Sequence, residues 1–336
     1  MKAFVDSACD IKYASFYIEG LRQVLGKSNV MFNSSRFQDF PHNNFYLPIQ
    51  IESGEEVYKI VIDYSDWSII RPLPYEWCDL YCKINIAFED AGKPKLFSIG
   101  PGFGIRIFGL FASAVFGVRN LWLSGDRIGS KRRFLYDYYG QFKRPALKAY
   151  RNTRPAKKGY VFFASSLWKN DTATNDFRAN FIRAAKSVAN INFEGGFAPR
   201  ARNDIPGFGD MTLAKRVGTL EYVEKTKMSM AVFSTPAVAM CHGWKLGEFL
   251  AMGKAILSTP LTRMLPEDLI DGKHFLVTDG SQKDLAKKLA ELLENDSLRQ
   301  DLERNAASYY ERNLSPKAVI ESILGKLGIA GHKPTR

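Results

Sequence analysis

The segment around residue 245 combines residue types that suit a phosphorylated nucleotide. The apolar run Met228–Ser234 predicts a buried strand, and Gly243 lies in the loop between this strand and a short helical pattern. A helix N-terminus at the carboxyl edge of a parallel sheet binds anions, because its first N–H groups are unpaired. Lys245 adds positive charge, and Glu248 is placed to accept hydrogen bonds from a ribose. This pattern predicts a nucleotide site; the structural alternative is a surface Glu248 and ordinary packing.

Two carboxylates in the N-terminal half are candidates for a catalytic base. Asp63 ends the alternating strand pattern 57–62, and Asp10 lies in the loop between the first strand and the first helix. Because α/β proteins bind ligands at the carboxyl ends of their strands, either residue is placed to remove a proton from an acceptor hydroxyl. A turn-forming role is the alternative for both. We do not interpret the D-x-x-D spacing of Asp63 and Asp66 as a metal site.

Strand and helix patterns alternate along the chain, which predicts βαβ units and parallel sheets. Strand patterns fall at 3–5, 29–32, 57–62, 95–99, 159–164, 191–193, 228–234, 255–257 and 275–277. Helical patterns fall at 16–25, 176–188, 246–252, 281–293 and 296–312. We therefore predict an α/β protein with an N-terminal domain at 1–150, a C-terminal domain at 151–330 and a tail at 331–336.

The segment Arg127–Lys158 carries most of the net charge. It contains eleven Lys and Arg residues and one acidic residue, Asp137, a charge of +10 against +12 for the whole chain. Such a patch favours an anionic partner, either a membrane surface or a polyphosphate. A solvated linker is the alternative. We expect no nucleic-acid partner, because no RRM, KH, zinc-finger or helix-turn-helix pattern accompanies the charge.

Composition and apolar run lengths limit the class of protein. The chain has 336 residues, of which 46% are hydrophobic and 24% charged, as in folded globular proteins. Charged residues from Lys2 to Lys12 interrupt any signal-peptide core. The uncharged run Ile107–Val118 is too short for a bilayer, which needs about 20 residues. We expect a cytoplasmic protein, attached peripherally to the inner face of the membrane through the basic segment and this apolar run.

The run His242–Ile256, HGWKLGEFLAMGKAI, resembles the donor-site segment of GT-B glycosyltransferases, in particular the group 1 (family-four) enzymes. In that family a glycine-bearing loop enters a helix whose Glu holds the nucleotide ribose, and A-x-G-x-P-V-I follows. The passages Leu265–Gly272 and Phe275–Val277 are similar too, and the resemblance extends from about Gly159 to the C-terminus. It implies two Rossmann-like domains facing across a cleft. It also implies a nucleotide-sugar donor as substrate, with no metal and no other cofactor.

The resemblance assigns roles to individual residues. Glu248 corresponds to the ribose-binding Glu, whereas Met240 stands where the family has a first Glu eight positions earlier, so the contact to the donor sugar is missing or supplied elsewhere. Lys169 is assigned to the diphosphate, where it would stabilise the leaving group, and Arg178 or Arg183 is the candidate second cation. The other implied donor-binding residues are Ser166, His242, Gly243, Trp244 and Lys245.

These features together predict a glycosyltransferase that moves a sugar from a nucleotide sugar to a saccharide or lipid-linked acceptor. We expect it to act in the synthesis of cell-surface polysaccharide or lipopolysaccharide. One alternative is another GT-B-shaped nucleotide-sugar enzyme, such as an epimerase. The other is a non-enzymatic protein that binds membranes or nucleic acid through the basic segment.

Overall fold

The computed structural model of the protein describes residues 1–151, 155–201 and 205–329. The predicted tail at 331–336, and Arg154 of the basic segment, lie outside the described residues. The chain divides into two compact units. Unit 1 comprises Met1–Leu147, Met264–Pro266 and the residues from Glu311 onward, and unit 2 comprises Lys148–Arg263 and Glu267–Tyr310.

Unit 1 is built on a six-stranded mixed sheet with the order β2-β1-β3-β4-β5-β6. The strands are β1 (Lys2–Asp6), β2 (Val30–Asn33), β3 (Tyr46–Ser53), β4 (Glu56–Asp63), β5 (Leu80–Lys83) and β6 (Leu96–Ser98). β3 pairs antiparallel with β1 and β4, and the other neighbours are parallel. The tight β3–β4 turn contains Gly54 at φ 64°, a left-handed conformation that glycine adopts without strain. The sequence patterns missed β3 and β5; β3 contains Pro48, which argues against a central strand.

The N-terminal part of unit 1 contains the helices α1 (Ile11–Leu25), α2 (Pro72–Trp77), α3 (Leu110–Ser124) and α4 (Lys131–Phe142). Side chains cap two of them, α1 and α4. The Asp10 side chain caps α1 by accepting a hydrogen bond from the Lys12 N–H, and the Ser130 side chain caps α4 by accepting one from the Arg133 N–H. Such caps satisfy N–H groups that the first turn of a helix leaves unpaired.

Unit 2 is a parallel sheet with helices on its faces. Its strands are β7 (Tyr160–Ser165), β8 (Asn192–Phe197), β9 (Val232–Ser234), β10 (Ile256–Ser258) and β11 (Leu276–Val277). Its helices are α5 (Thr172–Ser187), α6 (Thr219–Met228), α7 (Trp244–Ala251), α8 (Gln282–Glu294) and α9 (Asp296–Tyr309). β7 pairs with β8, and β9, β10 and β11 pair in turn. The Met230 N–H donates to the Tyr160 carbonyl at 2.7 Å, which joins the two ladders at β7 and β9.

The core of unit 2 lies between this sheet and the flanking helices. Phe181 of α5 stacks on Phe233 of β9 with ring centres 5.0 Å apart, and it meets the edge of Phe163 of β7 at 5.2 Å. Leu285 and Leu289 of α8 are fully buried in the same cluster. Parallel strands covered on both faces are typical of α/β proteins, so the predicted fold class is confirmed.

The C-terminal helix α10 (Pro316–Lys326) differs from the predicted domain division, which placed it in the C-terminal domain. It packs on α1 in unit 1, where a Cβ added to Gly20 would overlap the carbonyl oxygen of Pro316. The buried apolar residues of α10 indicate that this helix packs against other elements, but their spacing does not specify which helix it contacts. In the described part of the chain, no helix combines the length and the hydropathy of a membrane span.

Candidate functional site

A cavity of about 180 Å³ opens at the carboxyl edge of the unit 2 sheet. The chain leaves β7 toward β8 on one side, and later returns to β9 on the other, so the cavity lies where the strand order reverses. Ligands of α/β domains bind at such switch points. The loop after β7, the loop after β9 and the first turn of α7 contribute most of its lining, including Ser165, Ser166, Trp168, Ser234, Thr235, Gly243, Trp244 and Lys245.

The N-terminus of α7 forms one wall of this cavity. Its N-cap residue is Gly243, which has no side chain to cap the first turn. A Cβ added to Gly243 would meet no described atom within 4 Å, so the space in front of the helix is open. The positive end of the helix dipole and its first N–H groups therefore favour a bound anion. The structure thus brings Gly243, Trp244, Lys245 and Ser166 together, as the sequence predicted for a nucleotide site.

Lys245 and Arg178 line the cavity as a pair of cations. The Lys245 ammonium donates to the Ala164 carbonyl oxygen and lies 4.7 Å from the ring centre of Phe163. Arg178 Nη1 donates to the Ser166 carbonyl oxygen at 2.8 Å. Burial, followed by the charge of Arg178, lowers the pKa of Lys245 to about 7. Burial lowers the pKa of Arg178 to about 10, so this guanidinium stays charged at neutral pH.

The structure decides which basic residue pairs with Lys245. Arg178 is 7% exposed and lines the cavity, whereas Arg183 is exposed and donates to Asn180. Lys169, the sequence-based choice, is exposed, and it is not one of the described residues that line the cavity. We therefore replace Lys169 with Arg178 in the assignment to the diphosphate.

The reason lies in the loop after β7. The side-chain amide of Asn175 accepts from the Trp168 N–H at 2.9 Å and donates to the Trp168 carbonyl at 2.7 Å. This clamp fixes the turn at Trp168 and leaves Lys169 on its outer side, in solvent. Sequence reasoning missed Asn175 and Trp168, since neither residue type signals a phosphate site by itself.

Glu248 lies one turn beyond Lys245 and is 5% exposed. It is next to the Tyr222 hydroxyl of α6, whose pKa is raised by burial first and then by the Glu248 charge. The same charge raises the pKa of Lys245, in opposition to burial. Glu248 therefore borders the cation pair, and its role at the ribose stays a prediction.

His242 forms hydrogen bonds with the loop that follows β10. It is buried, and its Nε2 accepts hydrogen bonds from the backbone N–H groups of Thr262 at 3.2 Å and Arg263 at 3.3 Å. Burial, and then the Arg263 charge, lower the pKa of His242 to about 4. The imidazole is therefore neutral near pH 7, as an acceptor must be. These contacts describe a residue that positions a loop, and the donor contact implied by the resemblance stays a prediction.

Two non-glycine residues just before His242 have a left-handed backbone conformation. Ala239 has φ 57° and Met240 has φ 58°, and each such conformation costs on the order of 1–3 kcal/mol. The Arg263 guanidinium donates to the Ala239 carbonyl at 2.7 Å, and the Thr262 hydroxyl donates to the Met240 carbonyl at 2.6 Å. The position that carries a Glu in the resembled family is thus held in a defined conformation, and the Met240 side chain there is 54% exposed.

Asp63 does not have the surroundings of an acceptor base. Its carboxylate is fully buried and lies 2.9 Å from the Lys83 ammonium. It also accepts hydrogen bonds at 2.6 Å from the Tyr81 hydroxyl and at 2.6 Å from the Ser65 hydroxyl. A base must reach its substrate, and this ion pair is enclosed by protein. The prediction for Asp63 is therefore replaced by a structural role.

Asp10 stays a predicted base, although its carboxylate is also nearly fully buried and caps the first turn of α1. It is 2% exposed, and its carboxylate accepts from the Lys12 N–H at 3.0 Å. Burial first, and then the charge of Asp137, raise the pKa of Asp10 to about 6. A carboxylate with a pKa close to neutral accepts a proton more readily than an ordinary one, which is the property of a general base.

Comparisons with known proteins bear on the segment that contains α7. Residues 230–309 match the family model described as "Glycosyl transferases group 1". The matched segment runs from β9 through α7 to α9, so the resemblance seen in the sequence is confirmed there. No curated protein matches the chain.

Among solved structures, the chain is similar to S. aureus TarM, with 14% identity, a TM-score of 0.40 and coverage of 52% of this chain. The match spans 36% of the TarM chain. The C-terminal domain of the Francisella tularensis group 1 family protein LpcC shows 15% identity and a TM-score of 0.34, over 49% of this chain and 95% of that one. An S. aureus MnaA–UDP co-structure shows 12% identity and a TM-score of 0.39, over 78% of this chain and 63% of that one.

Proposed function

From the group 1 glycosyl transferases match at residues 230–309, we propose that this protein transfers a sugar from a nucleotide-sugar donor to an acceptor hydroxyl. The observation that carries the proposal is the convergence of Lys245, Arg178 and the N-terminus of α7 on one cavity. The donor's diphosphate binds there. The acceptor is a saccharide, carried on a lipid, in the synthesis of cell-surface polysaccharide or lipopolysaccharide.

The chemistry needs positive charge at the leaving group. In the transfer, the bond between the anomeric carbon and the diphosphate oxygen breaks, and its electron pair stays on the diphosphate. The acceptor oxygen bonds to the anomeric carbon, and its proton goes to a base, for which we propose Asp10. Lys245, Arg178 and the helix end are preorganised to stabilise the charge that develops on the diphosphate.

Donor binding is expected to depend on pH through Lys245. In the free protein the pKa of Lys245 is about 7, and a bound diphosphate raises it because the negative charge favours the ammonium form. Above pH 7, Lys245 therefore takes up a proton when the diphosphate binds. Affinity for a nucleoside diphosphate should therefore fall by about tenfold per pH unit between pH 7.5 and 9. Titration calorimetry in buffers of different ionisation enthalpy measures both affinity and proton uptake. Lys245→Ala should remove the pH dependence of the affinity, whereas the control Lys169→Ala, which changes an exposed lysine, should keep it. If the affinity of the wild-type protein does not change with pH, Lys245 does not bind the diphosphate.

Glu248→Ala is expected to weaken binding of a nucleoside diphosphate by about 1–3 kcal/mol, the range for hydrogen bonds to a charged group. If the carboxylate holds the ribose hydroxyls, the wild-type protein prefers a ribonucleotide to its 2′-deoxy form and the variant loses this preference. Calorimetry with both nucleotides measures the difference. Tyr222→Phe is the control, because it removes the neighbouring hydroxyl and keeps the carboxylate. An unchanged ribose preference in Glu248→Ala removes the assignment.

The proposed reaction itself is tested by following nucleotide sugars with phosphorus and proton NMR. We expect one nucleotide sugar to release its nucleoside diphosphate when a lipid-linked or free saccharide fraction is added, and Lys245→Ala to release much less. Conversion of the sugar to an epimer with the nucleotide still attached would instead identify an epimerase. Absence of nucleoside diphosphate binding would refute both enzymatic functions.

A further inference from the structure

Helix α3 has its polar residues inward and its apolar residues outward. Phe111, Val115, Val118 and Trp122 follow a 4-3-4 spacing, which places them on one face of the helix. Phe111 is 82% exposed, Val115 46%, Val118 61% and Trp122 80%. A surface helix of a soluble domain normally turns its apolar stripe toward the core. We call these four residues the α3 stripe.

The opposite face of α3 is small and polar, and the rest of unit 1 holds it in place. The Asn120 amide donates to the Tyr138 hydroxyl at 2.7 Å, and the Ser124 and Ser7 hydroxyls are 2.8 Å apart. A Cβ added to Gly117 would lie 3.2 Å from the Tyr138 ring, so α4 packs closely there. Turning the helix would break these buried hydrogen bonds and leave buried polar groups unpaired, which is unfavourable. The outward direction of the α3 stripe is therefore fixed by the fold.

The surroundings of the α3 stripe are strongly basic. Residues 100–147 of unit 1 contain eight Lys and Arg residues and two acidic residues, Asp126 and Asp137. Arg119 is exposed on α3 itself, and three consecutive basic residues are exposed at the start of α4, Lys131, Arg132 and Arg133. Arg127 is paired with Asp6 at 2.6 Å, and Arg133 lies 3.8 Å from the Asp137 carboxylate. An apolar stripe bordered by exposed cations is complementary to a layer with negative head groups over hydrocarbon.

We propose that α3 binds in the interface of an anionic lipid bilayer. Its stripe enters the acyl-chain boundary, and Arg119 with the basic start of α4 contacts the head groups, where each nearby cation adds to the attraction. A second copy of this chain is a poorer occupant, since a two-fold contact through the stripe brings the two basic borders together. The proposal is independent of the donor site, because membrane binding requires no nucleotide.

The test is co-sedimentation of the full chain with vesicles, without nucleotide. We expect binding to vesicles of phosphatidylglycerol and phosphatidylcholine, weaker binding as salt is raised, and none to phosphatidylcholine alone. Phe111→Ser with Trp122→Ser should lower the partition coefficient at least about tenfold, because two exposed aromatic anchors are lost. The control is Phe88→Ser with Leu220→Ser, which changes two large exposed apolar residues outside α3.

Insertion is separated from surface adsorption by bromine-labelled lipids. They should quench tryptophan fluorescence in the wild-type protein, and Trp122→Phe should keep vesicle binding and lose most of the quenching. Equal vesicle binding by the stripe and control variants overturns the proposal, as does equal binding to charged and neutral vesicles. A stripe variant that changes the mass in sedimentation equilibrium, with vesicle binding unaltered, would show a contact between copies and also overturn it.

Discussion

Arg178→Ala is expected to weaken binding of a nucleoside diphosphate by about 2–5 kcal/mol, because truncating one partner of a desolvated charge pair costs this much. Arg178 is 7% exposed and points into the cavity that contains Lys245, so little water screens it. The loss should be smaller for the nucleoside alone, since the guanidinium serves the phosphates. Titration calorimetry with nucleoside diphosphate and nucleoside measures both.

The matched control is Arg183→Ala on the same helix, since Arg183 is exposed. We expect this variant to bind like the wild-type protein. Arg178 also donates to the Ser166 carbonyl, so thermal unfolding of Arg178→Ala is needed to show that the loop after β7 remains folded. Equal losses for nucleoside and nucleoside diphosphate, or equal effects of the two arginine substitutions, contradict the assignment.

Lys83→Met is expected to lower the free energy of unfolding by about 3–5 kcal/mol, the cost of leaving one member of a buried ion pair without its partner. Both side chains of the Lys83–Asp63 pair are fully buried. The Asp63 carboxylate would keep its hydrogen bonds from Tyr81 and Ser65 and lose the counter-charge of Lys83. Urea unfolding followed by circular dichroism measures the change.

The pair Lys158–Asp296 offers a matched control, because it has the same separation of 2.9 Å with side chains 57% and 46% exposed. Lys158→Met should change the free energy of unfolding by less than about 1 kcal/mol, as for other exposed pairs. Asp63→Asn combined with Lys83→Met should be more stable than Lys83→Met alone, since no buried charge is left unpaired. If Lys83→Met and Lys158→Met have equal effects, Asp63 is not held by this ion pair.

Local patterns in the sequence were enough to predict the parallel strands of unit 2 and the helix α7. The apolar run that contains β9, the glycine before α7 and the apolar spacing of α8 each carry their own signal, because strand, cap and helix geometry depend on near neighbours. The antiparallel strand β3 was missed, since its position beside β1 depends on a hairpin pairing that its own residues do not specify.

The sequence by itself determined the α/β class, the helix α7 that borders the cavity and the segment that matches the glycosyl transferases group 1 model. Tertiary structure alone decided between Lys169 and Arg178, because burial of a cation depends on how the loop after β7 folds onto α5. The tertiary structure also buried Asp63 in an ion pair with Lys83, which lies twenty residues later in the sequence on the neighbouring strand. It also turned the apolar stripe of α3 outward, since the hydrogen bonds that fix this helix come from residues distant in sequence. Periodicity reveals that a helix has two faces, and only long-range contacts determine which of them meets the protein.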